Sequence, residues 1–121
     1  MKIKKVNIAQ KLKSFSEYWS PKVVGELNQQ MVKIAKFKGE FVMHHHDNED
    51  EFFYVINGEL FIEIEDQTLN LKAGEFVIIP KGTDHKPYAP DEVHIMLFEP
   101  SSTLNTGNVD NNLTLADLDK I

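Results

Sequence analysis

The sequence contains no cysteine. That excludes a disulfide framework and any thiolate site, so a metal could rest only on histidine, carboxylate and water. No apolar run approaches the ~20 residues of a membrane span. No apolar stretch follows the N-terminal lysines, so a signal peptide is not expected and a soluble, cytoplasmic protein is. Basic residues are outnumbered 13 to 19, for a net charge of −6. Nucleic-acid backbones call for a basic patch, and the one cluster here, Lys2, Lys4 and Lys5, reads as a solvated end. No internal repeat and no long linker interrupts the chain. Its 121 residues fit one domain, large enough to bury roughly two-thirds of its unfolded surface.

What is present is concentrated in one stretch. His44-His45-His46-Asp47-Asn48-Glu49-Asp50-Glu51 lies between the apolar runs Phe41-Val42-Met43 and Phe52-Phe53-Tyr54-Val55-Ile56. In an extended chain, residues i and i+2 share a face. Residues 40–46 read as a strand with Val42, His44 and His46 on one side and Phe41, Met43 and His45 on the other. Neutral imidazoles bind transition metals, and a carboxylate completes such sets. Glu51 opens a buried-looking strand, where an unpaired carboxylate is costly. Asp47 to Asp50 read as a solvated turn. His85 follows a buried strand and a Pro-Lys-Gly turn, from which a neighbouring strand could deliver it to the same cavity.

The rest of the pattern is that of short strands. Asn7, with Gln10 three residues on, caps a short helix carrying Ile8, Leu12 and Phe15. Trp19 is a packing anchor before Pro21, and Val23 to Leu27 a short strand. From Gln30 the period is two, with Val32 and Ile34 apolar, and Lys38-Gly39 turns the chain. Asn57-Gly58 signals a hairpin. Leu60, Ile62 and Ile64 alternate cleanly, then Leu69 and Leu71. Ala73-Gly74 turns again. Phe76 to Ile79 reads as a buried run, residues 85–93 as a loop with two prolines, and His94 to Phe98 as the last strand. Residues 101–112 form a loop or tail, and Thr114 to Lys120 either one helical turn or a loose end. Turns every ~8–12 residues point to an all-β sandwich or barrel.

His44-x-His46, four residues, Glu51, six residues, Gly58 resembles the first motif of the cupins. Gly74, five residues, Pro80-x-Gly82, two residues, His85 resembles the second. Together they cover residues 39–89. Gly39 leaves one residue fewer than usual before the first histidine, and Ala89 stands where asparagine is common. The resemblance implies an all-β cupin double-stranded β-helix, a jelly-roll barrel, here with a short N-terminal helix. Residues 1–28 would supply the helix and a lead-in strand, 29–100 the barrel and 101–121 the tail. It also implies one divalent transition metal (Fe, Mn, Ni, Co, Zn or Cu) on His44, His46, Glu51 and His85.

Val42, Phe53, Val55 and Met96 are expected to line the pocket. His45 is expected at the surface, and His94 is either a buried, satisfied histidine or a support to the site. Lys81 and Lys86 read as solvated loop lysines. The function implied is a metalloenzyme acting on a small molecule, dioxygenase-like or isomerase-like. The alternative is a cupin that binds a small ligand without turnover. A metal-free epimerase using Tyr54 or Tyr88 is disfavoured by the intact ligand set. Phe41 and Met43, exposed, would favour a homodimer, unless the N-terminal helix covers them.

Overall fold

The computed structural model describes residues 2–121. One short helix, α1 (Ile8–Leu12), is followed by β1 (Lys22–Leu27), β2 (Gln30–Glu40), β3 (Glu51–Asn57), β4 (Glu59–Ile64), β5 (Gln67–Lys72), β6 (Phe76–Ile79) and β7 (Lys86–Pro100). Strands dominate the described residues and α1 is five residues long, so the protein is all-β. All strand pairs are antiparallel, in the order β1-β2-β7-β3-β6, with β4 joining β7 to β5. Among the described residues no helix is long and apolar enough to cross a membrane.

Alternation builds the interior. Phe53 and Val55 of β3, Leu60 and Ile62 of β4, and Val93, Ile95 and Leu97 of β7 are buried, while their sequence neighbours face out. Burying each such side chain contributes about 1.5–3 kcal/mol. Asn7 caps α1 as expected, its side chain accepting from Gln10 N at 3.1 Å. Trp19 anchors the N-terminal segment: its ring stacks on Phe37 and Phe41, with centroids 4.2 and 4.9 Å away, and Nε1 donates to Lys38 O.

Several readings of the sequence are corrected. Asn57-Gly58 is not a hairpin, because β3 and β4 do not pair. Both lie along β7, β3 against residues 94–98 and β4 against 86–88. Gly58 is the corner between them, at φ 95°, with a Cβ position only 2.9 Å from Glu92 O. Any side chain there would strike the bend of β7. Residues 85–93 are not a loop either. Apart from His85, they belong to β7, whose buried residues are odd-numbered both before Pro90 (Pro87, Ala89) and after Glu92 (Val93 to Glu99).

Lys38-Gly39 does not turn the chain. The register slips between Phe37 and Gly39, a bulge within β2. The strand read over 40–46 reduces to one isolated bridge, His44 to His85. Phe41 points inward and is buried, leaving only Met43 exposed. β6 is not a buried run, since Phe76 and Ile78 are 59% and 54% exposed. The inner face of β2 carries Lys33, Ala35 and Phe37, so Lys33 is buried despite its charge.

The tail is neither helical nor loose. Thr106 is wholly buried, Asn108 exchanges hydrogen bonds with the His45 backbone, and Val23 N and O bond Asp119 O and Ile121 N. The tail therefore folds back across the segment that carries the histidines.

Candidate metal centre

Three pieces of chain deliver four side chains to one point. The His44–His85 bridge is closed by His44 N to His85 O at 2.9 Å and His85 N to His44 O at 2.8 Å. Residues directly opposed in such a pair project to the same side, so the two rings meet at 4.3 Å. His46, two residues on, shares that side, and its carbonyl accepts from Gly82 N at 2.8 Å. Glu51 opens β3, opposite Ile79. His44, His46, Glu51 and His85 are all buried, and one potential ligand atom from each lies within 4.8 Å of the others. Bonds of ~2.0–2.3 Å to a common ion require about this spread.

The hydrogen bonds fix which nitrogens face inward. His44 Nδ1 lies 2.9 Å from Val42 O, and His85 Nδ1 2.9 Å from Thr83 O. A carbonyl can only accept, so both Nδ1 atoms donate, and in a neutral ring Nε2 carries a lone pair. Such bonds orient metal-binding histidines. His85 Nε2 sits 2.9 Å and His46 Nε2 3.4 Å from Glu51 Oε1. A lone pair facing a carboxylate at 2.9 Å needs a cation between them. His44 Nε2 and His46 Nε2 are buried without a hydrogen-bond partner among the described residues. A proton on His85 would relieve one contact. A metal ion would serve all four groups, and the donor set of three imidazoles and a carboxylate suits one.

The electrostatics point the same way. Burial, reinforced by the charge of His85, pushes His44 down to about 4, so its ring is neutral and ready to donate electrons. Burial pushes the Glu51 carboxyl up, but the adjoining His46 and His85 rings, in their protonated form, outweigh it and hold the group well below the usual carboxylate range.

His45 faces away. It is 27% exposed, with Nδ1 2.7 Å from Asp84 and Nε2 3.0 Å from Asp47. His94 is remote from the cluster and bonds Glu92 at 2.7 Å. Lys81 is exposed, and Lys86 pairs with Glu40. Tyr88 stacks on Phe61, away from the cluster.

A small cavity of ≈ 30 Å³ adjoins His44 and Glu51. Its walls include Trp19, Phe37, Phe41, Phe53 and Leu97. Phe53 was expected there. Val42, Val55 and Met96 do not line it: Val55 is buried in the core, and β7 turns its odd residues inward, which sends Met96 to the outer face.

Two charged residues in the same cavity escaped the sequence reading. Lys33 Nζ and Glu99 Oε1 are 3.0 Å apart, each side chain 3% exposed. Burial first, then the Glu51 charge, raises the Glu99 carboxyl well above its ordinary range, against the pull of Lys33. The available signal was phase. Glu99 continues the inward series Val93, Ile95, Leu97, and Lys33 shares a face with Ala35 and Phe37.

The cupin domain family matches residues 30–99. The uncharacterized protein YdbB of Bacillus subtilis strain 168 is 45% identical over 64 residues, 52% of this chain and 57% of YdbB. The chain thus matches little more than half the length of that relative. A cupin-2 domain containing protein from Shewanella frigidimarina NCIMB 400 superposes with a TM-score of 0.78 at 45% identity, covering 78% of this chain and 93% of that one. Hydroquinone 1,2-dioxygenase from Sphingomonas sp. TTNP3 shares the fold at a TM-score of 0.74 and 18% identity, over 82% of this chain and 33% of the enzyme. The family match spans more than half of the chain and contains both histidine motifs, and on that ground the chain belongs to the cupin domain family.

Proposed function

We propose that this cupin binds one divalent transition metal (Fe, Mn, Ni, Co, Zn or Cu) through His44, His46, Glu51 and His85, and acts on a small molecule held in the adjoining cavity. The carrying observation is the set of three imidazole nitrogens gathered within 4.8 Å of a Glu51 oxygen, two of them buried without a hydrogen-bond partner among the described residues. The reaction class we favour is dioxygenase-like or isomerase-like.

When bound, the metal would polarise an oxygen of the ligand. The protein's own residues do the rest. Val42 O and Thr83 O hold the two rings in register. Trp19, Phe37 and Phe41 give the cavity an apolar wall, and Asn108 of the tail bonds the His45 backbone. That several chemistries share the cupin fold is why the proposal rests on the site and not on the fold.

Elemental analysis of untagged protein, followed by dioxygen-uptake and isomerase screens of the reconstituted forms, tests the reading. Metal retention with turnover supports it. Retention with tight ligand binding and no product under any metal would favour the second reading, a binding or sensor cupin, for which the small size of the cavity speaks.

The oligomer belongs to the same proposal. With Phe41 buried, the face first suspected is not apolar enough. The outer faces of β3, β6 and β7 are: Phe52 pairs with both Ile78 and Phe98, and Tyr54 with Phe76, forming a contiguous aromatic patch suited to a second copy of the chain. Sedimentation at micromolar concentration should show a dimer that Phe76→Glu dissociates. A monomeric wild type would refute it.

A further inference from the structure

Lys33 and Glu99 stand on neighbouring strands, inside the barrel and beside the proposed metal ligands. Register explains the placement. Lys33 is opposite Leu97 and Met31 opposite Glu99 in the β2–β7 ladder, so Lys33 and Glu99 are diagonal neighbours on the inner face. On the other side of β7, Phe53 pairs with Leu97 and Phe52 with Phe98. One further step of that ladder sets Glu51 across from Glu99. The order along the wall is therefore Lys33, Glu99, Glu51.

Hydrophobic packing alone does not call for this pair. A buried ion pair gains little over apolar side chains of similar size, because desolvation offsets the attraction. It is also incompletely used. Glu99 Oε1 takes one of the three donor positions of Lys33 Nζ. Glu99 Oε2 is buried without a partner among the described residues, in a residue 97% buried by exposure of 3% that lines the cavity. Asn105, the tail's polar group in the cavity, donates to Leu113 O and accepts from Leu115 N.

We propose that Lys33 and Glu99 read a hydroxyl group on the ligand. A hydroxyl both accepts and donates, so it can accept from Lys33 Nζ and bond Glu99 Oε2 whether that carboxyl is ionised or protonated; a carbonyl or ether can do so only when it is protonated, and an alkyl group in neither state. The cavity admits a compact molecule only. The ligand class is a short hydroxylated carbonyl compound, with its carbonyl oxygen toward His44 and Glu51 and its hydroxyl on the Lys33–Glu99 side. The position of the carbonyl rests on the metal reading above, whereas the hydroxyl contact does not.

Hydroxyacetone and butanone make a matched pair, differing by a hydroxyl in place of a methyl. Each is titrated into the full chain, metal-free and zinc-loaded, and followed by NMR shifts including the Trp19 indole N–H, which faces Lys38 O beside the cavity. Hydroxyacetone should bind at least ~10-fold more tightly than butanone in both forms, since butanone leaves buried polar groups unpaired. Glu99→Gln should reduce that preference while zinc binding persists. The double variant Lys33→Met/Glu99→Leu should abolish it and melt no lower than wild type. Equal binding of the two probes, an unchanged preference in Glu99→Gln, or a double variant that loses the fold would each overturn the proposal. Preference kept but affinity identical with and without zinc would count against the metal reading alone, and would support the hydroxyl contact.

Discussion

The His44–His46–Glu51–His85 cluster and the Lys33–Glu99 pair line the same interior, both buried and both able to carry charge. They differ in how they are satisfied. The cluster holds more acceptors than its hydrogen bonds can use, with two nitrogens left unpartnered, so it gains by taking a cation. The pair already contains its cation and is short by one carboxyl oxygen, so it gains by taking a hydroxyl. They also differ in construction. Three members of the cluster lie within eight residues and are delivered by an irregular segment and a strand start. Lys33 and Glu99 come from β2 and β7, and only the ladder between these strands brings them together.

Removing a ligand breaks the contrast most strongly. Glu51→Ala or His46→Ala should weaken metal binding by more than ~100-fold, beyond what loss of a supporting group costs. Competition titration against a chromophoric chelator reads this. Glu99→Ala comes next. It strands a buried Lys33, and urea unfolding of the metal-free protein should show a loss of about 3–5 kcal/mol, whereas Lys33→Met/Glu99→Leu should be neutral or stabilising. Equal losses in the two variants would mean that the pair is a structural element after all.

The cluster should also respond to acid. His44 is held at about 4 in the folded chain against an ordinary 6.5. Between those values the unfolded chain binds a proton that the folded chain refuses. Stability contributed by this residue therefore falls as pH drops from 6.5 to about 4 and levels below, by about 3 kcal/mol. Urea midpoints at pH 7.5 and 4.5 check the sign, and a metal should leave over the same window because protons compete for its ligands. The smallest effect belongs to His45→Ala. It removes exposed contacts to Asp84 and Asp47 worth about 1 kcal/mol or less, and should leave metal affinity unchanged. Loss of metal in this variant would show that the face assignment is wrong.

The same contrast explains what could be read without a structure. The cluster was legible because metal chemistry restricts residue type and because its spacing is local: His44-x-His46 on one side of an extended chain, Glu51 at the start of an apolar run, His85 after a turn. The all-β class was legible from alternation in β3, β4 and β5. What failed depended on partners distant in sequence. Asn57-Gly58 carries the composition of a hairpin, yet β7 claims both flanking strands and makes it a corner. Pro87 and Pro90 suggested a loop, but β7 runs through them. Phe76 and Ile78 looked buried because apolar composition does not reveal which sheet face is covered. Lys33 looked like an outward residue because its charge outweighed its phase, and only Glu99 across the ladder accounts for it.

The most direct test is the metal content of the untagged protein, purified without chelator and compared with Glu51→Ala. The expected result is about one equivalent of a transition metal per wild-type chain and almost none in the variant. A wild-type protein that holds no metal, and retains none after reconstitution, would contradict the reading of His44, His46, Glu51 and His85 as a metal centre.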